Sequence, residues 1–237
     1  MMPQVVAGPV DAYVDLLRRE QGGSVAAVYA VGSLALGDFS QRQSNVDLVV
    51  VADSLPDADK ASRLHRAEKA MARAGRTAVV WHTTWEEVSG GPRAVTRPSQ
   101  LATPLTWAIL RNDPMPLFGP DWPVVWEDAA VLRAWALDRL AAIASGKKGL
   151  LVLRRDVTPL VLETARLAQV AITGRVLSKT EAGESAASLV ATSHRRVLVD
   201  SAGYRQGAQT SMYWGPFERK YDALAVIDEL VGAARSV

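Results

Sequence analysis

Asn45 and Asp47 stand two residues apart at the head of an apolar run, "NVDLVVVAD", and eleven residues separate Asn45 from a Gly32-Ser33 pair that closes an earlier run, "SVAAVYAV". Residues i and i+2 of a strand share a face, so ligands at 45 and 47 project together. A carboxylate pair so placed suits Mg²⁺, a hard cation that takes oxygen ligands and binds alongside phosphates. A glycine directly after a strand lets backbone N–H groups approach a phosphate, and a serine hydroxyl adds a donor. The matching chemistry is phosphate-group transfer, one ion activating the attacking hydroxyl and another clamping the leaving pyrophosphate. Taken singly, the Gly-Ser pair also suits an ordinary turn, and Asp47 a strand-end cap.

The first ligand position holds an amide instead of an acid. Loss of one unit charge about 4 Å from a cation, at an effective dielectric near 20, costs roughly 4 kcal/mol, or about three decades in affinity. Weakened Mg²⁺ binding at Asn45 and Asp47 is therefore expected. Attack by a hydroxyl also calls for a general base; the next predicted strand opens with Arg76, Thr77 and Ala78, and no carboxylate lies between Glu68 and Glu86. Glu86 and Glu87 are the nearest replacements, and a solvated helix start explains them equally well. Asp38 reads as a turn residue or as a contributor from the loop.

A second group of residues lies far along the chain. Arg166 precedes Thr173 and Gly174, and Lys179 follows six residues after the threonine. Ser178 and Glu181 form a capping-box pattern that puts Lys179 in a first helical turn, where a cation opposes the helix dipole unless an anion sits there. The plain alternatives are a surface lysine and an i to i+3 pair of Glu163 with Arg166. Asp156 is either a helix-entry acid or a carboxylate for a cationic ligand. Of the seven tryptophans, Trp81, Trp85 and Trp107 are candidates for core packing or for lining a sugar site. His65, His82 and His194 share no metal-ligand spacing and receive no role.

These residues need strands and helices to hold them. A helix is predicted over 9–20, strands over 24–31, 46–53 and 76–83, and a helix over 58–75 closed by Gly75. Helical patterns follow over 99–111, 126–145, 158–174, 178–192 and 217–236. The segment 112–123, rich in proline, reads as a linker. The result is an α/β domain with a small mixed sheet over 1–119 and a helical bundle over 120–237.

The composition of this 237-residue chain fits two modest globular domains: 49% hydrophobic, 22% charged, and 27 basic against 25 acidic residues. Without a concentrated basic face, nucleic acid is not an expected partner. The absence of cysteine excludes disulfides, thiolate metal sites and a cysteine nucleophile, and points to a cytoplasmic protein. No charged leader with an apolar core opens the chain, and no apolar run approaches the roughly 18 residues of a membrane span.

The pattern Gly-Ser, eleven residues, Asn-x-Asp-Leu between two strands resembles the signature of the DNA polymerase beta-like nucleotidyltransferase superfamily, with Gly37 and Ser44 also in familiar places. The segment 162–186, with Arg166, Thr173, Gly174 and Lys179, resembles the helical domain of the streptomycin/spectinomycin adenylyltransferases, and the likeness runs from about 24 to 208. The resemblance implies a nucleotidyltransferase fold and adenylyl transfer from Mg·ATP to a hydroxyl of an aminoglycoside-like molecule, an antibiotic-resistance activity. It implies that Gly32 and Ser33 hold phosphates, Asp47 and Asn45 a metal, Arg166 and Lys179 the triphosphate, Tyr204 the nucleotide and Asp156 the acceptor. Asn45 and the non-acidic third position depart from the family pattern. They support the alternative of a catalytically silent relative that binds a nucleotide or another anion as a sensor or partner protein.

Overall fold

The computed structural model describes residues 2–96, 99–146 and 153–237. The chain divides into two compact units, Met1–Glu127 and Asp128–Val237. The first contains α1 (Gln4–Gln21), β1 (Val25–Ala30), β2 (Val46–Ala52), α2 (Ala58–Met71), β3 (Ala78–Thr83), α3 (Trp85–Ser89), α4 (Pro104–Asn112) and β4 (Met115–Phe118). The strand order is β3-β2-β1-β4, with β2 and β3 parallel and the other pairs antiparallel.

One face of this mixed sheet presents Val28, Ala30, Leu48 and Val50 to Val6, Val10, Tyr13 and Leu17 of α1 and to Leu64 and Met71 of α2. Helix α1 begins earlier than expected and carries Pro9 inside it. The fully buried Val6 is what the earlier start adds to the core, against the one hydrogen bond that Pro9 cannot donate. On the other face Tyr29, Val49 and Trp81 form one row across three strands. There the Trp107 ring of α4 lies 5.1 Å from that of Trp81, and its Nε1–H donates to the Val88 carbonyl at 3.0 Å. Trp81 and Trp107 are thus core residues, and Trp85 packs 5.8 Å from Trp122.

The segment expected as a linker supplies a strand instead. Met115 and Pro116 pair with Ala30 and Tyr29, and the proline is tolerated because β4 is an edge. The Tyr29 hydroxyl donates to the Pro120 carbonyl at 2.8 Å, and its ring meets Trp122 edge-on at 5.1 Å. These contacts keep the chain beyond residue 119 on the first unit, so the division falls after Glu127.

The second unit comprises α5 (Ala129–Gly146), α6 (Arg154–Thr173), α7 (Lys179–Ser185), α8 (Arg195–Arg205) and α9 (Pro216–Arg235). Helix α6 packs against α5, α7, α8 and α9 and is buried nearly all round, as a central helix must be. Helix α8 was not expected, because its buried set includes Asp200, Ser201 and Arg205 and shows no apolar period. The fully enclosed Asp200 side chain accepts from Arg154 Nε at 3.0 Å, from the Met212 N–H at 2.8 Å and from the Ser211 hydroxyl at 3.2 Å. That network pins the loop after α8. No helix among the described residues is long and apolar enough to cross a membrane.

Replacing Trp107 with alanine removes a fully buried indole and its hydrogen bond. We expect a loss of about 3–5 kcal/mol, measured by urea unfolding.

Candidate functional site

The Gly-Ser turn is tied directly to the strand that carries Asp47. Val31 donates its N–H to the Asp47 carbonyl at 3.0 Å, and the chain then turns through Gly32 with φ +62°. A Cβ on Gly32 would stand 2.8 Å from Asp47 Oδ2, so the turn passes against the carboxylate in a way only glycine allows. Helical-type hydrogen bonds close residues 32–38: Leu36 N–H to the Gly32 carbonyl at 3.1 Å and Asp38 N–H to the Ser33 carbonyl at 2.9 Å. Buried Ser44 closes the next loop by accepting the Ser40 N–H at 2.9 Å, and its own carbonyl takes the Arg76 N–H at 2.7 Å. Asn45 is thereby placed at the foot of β2, two residues before Asp47 and half-buried like it.

The register shows what lies beside this pair. Asp47 is matched with Val79 on β3, and the Val46 N–H donates to the Thr77 carbonyl at 2.8 Å. Partners in a parallel ladder share a face, so Val79 and Thr77 stand on the face of Asp47, and neither is an acid. Glu86 and Glu87 follow Thr83, which is matched with Val51, about 13 Å along the sheet from the Asp47 row. Glu87 accepts the hydroxyls of Thr83 at 2.8 Å and Thr96 at 2.6 Å. The structure does not bring either glutamate to Asp47. Among the described residues no group of three or more His, Cys, Asp or Glu is placed to hold a metal. One carboxylate and one amide oxygen fit a single Mg²⁺ that arrives on phosphate oxygens, but not a two-ion arrangement.

In the second unit Arg166 and Lys179 meet on one carboxylate. Glu163 accepts from Arg166 Nη2 at 2.9 and 2.7 Å, and its Oε2 lies 3.2 Å from Lys179 Nζ. Local signals build this cluster. Gly174, with φ +71°, ends α6, and Ser178 and Glu181 complete the capping box that opens α7 at Lys179. Burial would raise the Glu163 pKa, but the charges and hydrogen bonds of Arg166 and Lys179 outweigh it and hold it at about 2. Burial lowers the pKa of Lys179; Glu163 opposes that, and Arg166 and Arg205 add to it.

Tyr204 and Asp156 have other neighbours. The Arg154 guanidinium lies 4.7 Å over the Tyr204 ring on α8. Asp156 occupies the first turn of α6, ten residues and about 15 Å of helix from Arg166. Its Oδ2 accepts no hydrogen bond among the described residues, and Arg155 Nε lies 3.9 Å from it.

Sequence reading missed two clusters. It paired Glu163 with Arg166 but not with Lys179, and no local signal could link residues on two helices. It also left His82 and His65 without partners. Glu68 accepts the Tyr13 hydroxyl at 3.0 Å and lies 3.3 Å from His82 Nε2 and 3.4 Å from His65 Nδ1. Burial works against the ionised Glu68, yet hydrogen bonds from His82 and Tyr13 hold its pKa below the usual carboxylate value.

No family model matches the chain, and no curated protein matches it in sequence. In fold it is similar to a spectinomycin adenyltransferase from Enterococcus faecialis, solved with ATP and spectinomycin. The TM-score is 0.67 over 97% of this chain and 99% of that one, at 12% identity. The chain therefore has a nucleotidyltransferase-like fold, an α/β part with a mixed sheet followed by a helical part.

Gly32→Ala should destabilise the first unit by about 1–2 kcal/mol through its left-handed backbone and the contact with Asp47. In a denaturation double-mutant cycle, adding Asp47→Ala should recover part of that loss, leaving the backbone penalty. Glu163 makes a separate prediction. Its folded pKa lies below the ordinary 4.5, so its stabilising effect is complete above that pH and is lost as pH falls towards about 2. Urea unfolding of Glu163→Gln should show a flatter dependence on pH across that window than the unmodified chain.

Proposed function

We propose that this protein is a nucleotidyltransferase that binds ATP and transfers its adenylyl group to a hydroxyl of an aminoglycoside-like acceptor, at a rate lowered by its incomplete set of acids. The observation that carries the reading is the close approach of the Gly32 turn to Asp47 at the foot of β2. The fold likeness supports it, since that neighbour was solved with ATP and spectinomycin. In the reaction the acceptor oxygen bonds to the α-phosphorus, the α–β phosphoanhydride bond breaks, pyrophosphate leaves, and the hydroxyl proton passes to solvent. Backbone N–H groups at Gly32 and the Ser33 hydroxyl orient phosphate oxygens. Asp47, with the Asn45 amide oxygen, would hold Mg²⁺, which supplies charge neutralisation at the phosphates. In the second unit Arg166 and Lys179 suit the charge of a polyphosphate, and Tyr204 is assigned to a nucleotide by the resemblance alone. Asp156, whose Oδ2 accepts no hydrogen bond among the described residues and has the exposed Arg155 guanidinium 3.9 Å away, suits an ammonium group of the acceptor.

A second reading, a nucleotide-binding relative without turnover, is favoured by one specific observation. Val79 and Thr77 stand on β3 where a base or third metal ligand is needed. The two readings separate by calorimetry with ATP, with and without Mg²⁺, on the unmodified chain and on Asn45→Asp, followed by pyrophosphate release with aminoglycosides. Asn45→Asp should tighten Mg·ATP by up to about three decades and raise pyrophosphate release. Turnover by the unmodified chain removes the second reading. Absence of both heat and thermal stabilisation with ATP removes the nucleotide site itself.

A further inference from the structure

Glu163 occupies the position an anionic ligand of Arg166 and Lys179 would take. Its two oxygens receive Arg166 Nη2 and Lys179 Nζ from separate helices, and the carboxylate is only 26% exposed. Arg166 Nε, shielded from solvent, has no acceptor among the described residues, so the guanidinium retains a donor that Glu163 does not use. The ion pair keeps Glu163 ionised against the cost of burying it. Its main effect is to screen two cations and occupy their donors.

We infer that Glu163 is an internal stand-in for phosphate, a carboxylate that neutralises Arg166 and Lys179 until a polyphosphate displaces it. The inference rests on the nucleotide reading only in taking the polyphosphate to be part of a nucleotide. A carboxylate or another monoanion exchanges with Glu163 charge for charge and gains nothing. A triphosphate brings several charges and many acceptor oxygens, and it can also use the spare Arg166 Nε. Displacing Glu163 costs every anion the same, and a polyphosphate gains enough on Arg166 and Lys179 to overcome that cost, so Glu163 sets a threshold that a monoanion does not pass.

The test is calorimetry at fixed ionic strength with tripolyphosphate, ATP and adenosine, on the unmodified chain, Glu163→Gln and Glu163→Asp. Glu163→Gln should bind tripolyphosphate on the order of tenfold more tightly than the unmodified chain. Glu163→Asp, which keeps the charge but is too short to span both cations, should show a smaller gain. Adenosine should bind all three proteins alike. A Glu163→Gln protein that binds tripolyphosphate no better than the unmodified chain, or not at all, overturns the inference. If that variant does not fold, the carboxyl ¹³C resonance of Glu163 in the unmodified chain decides: it should move on saturation with tripolyphosphate, and an unmoved signal overturns the inference. Should tripolyphosphate respond as expected while ATP gives neither heat nor thermal stabilisation, the inference stands and the nucleotide reading falls.

Discussion

The first unit depends on the central position of β2. That strand is buried on both faces and hydrogen-bonded on both edges, antiparallel to β1 and parallel to β3. Val46, Leu48 and Val50 belong to the core with α1 and α2, while Val49 and Val51 are buried on the opposite face. A slip of one residue would exchange the two faces, so the register is strongly held. Asp47 is consequently fixed at the end of the sheet where the Gly32 turn emerges from β1. The site's geometry follows from core packing rather than from any contact among its polar groups.

The same register decides which residues stand beside Asp47. Parallel pairing places β3 residues beside Asp47 without freedom of choice, and these are Thr77 and Val79. The acids that come next in sequence, Glu86 and Glu87, are delivered to the other end of the strand, where Glu87 ties Thr83 to Thr96. An acid at the far end of β3 does not reach the Asp47 row, because each residue carries the chain about 3.3 Å further away.

The second unit concentrates its polar interactions in networks that a hydrophobic pattern does not announce. Asp200 is enclosed by Arg154, Ser211 and the Met212 backbone, and Tyr213 donates to Asp222 at 2.7 Å beneath Arg196. Burial raises the Tyr213 pKa, and the bond to Asp222 adds to it. Buried charges are tolerated here because each has a partner. The Glu163 cluster follows the same rule, but its guanidinium keeps a donor in reserve.

Read alone, the sequence locates the strands β1, β2 and β3, the helices α2, α5, α6 and α9 to within a few residues, and the capping box before Lys179. Period, caps and β-branched runs are local, so these are readable without knowing the fold. It also placed Gly32, Ser33, Asn45 and Asp47 in one loop-strand unit. Edge strand β4 escaped because its prolines read as a linker, and α8 because its buried face is polar. Only the tertiary structure decided that Trp81 and Trp107 are core, that Val79 stands beside Asp47, and that Glu163 joins Arg166 to Lys179. Each of these joins residues from different elements, and such contacts are set by register and packing across the fold rather than by spacing along the chain.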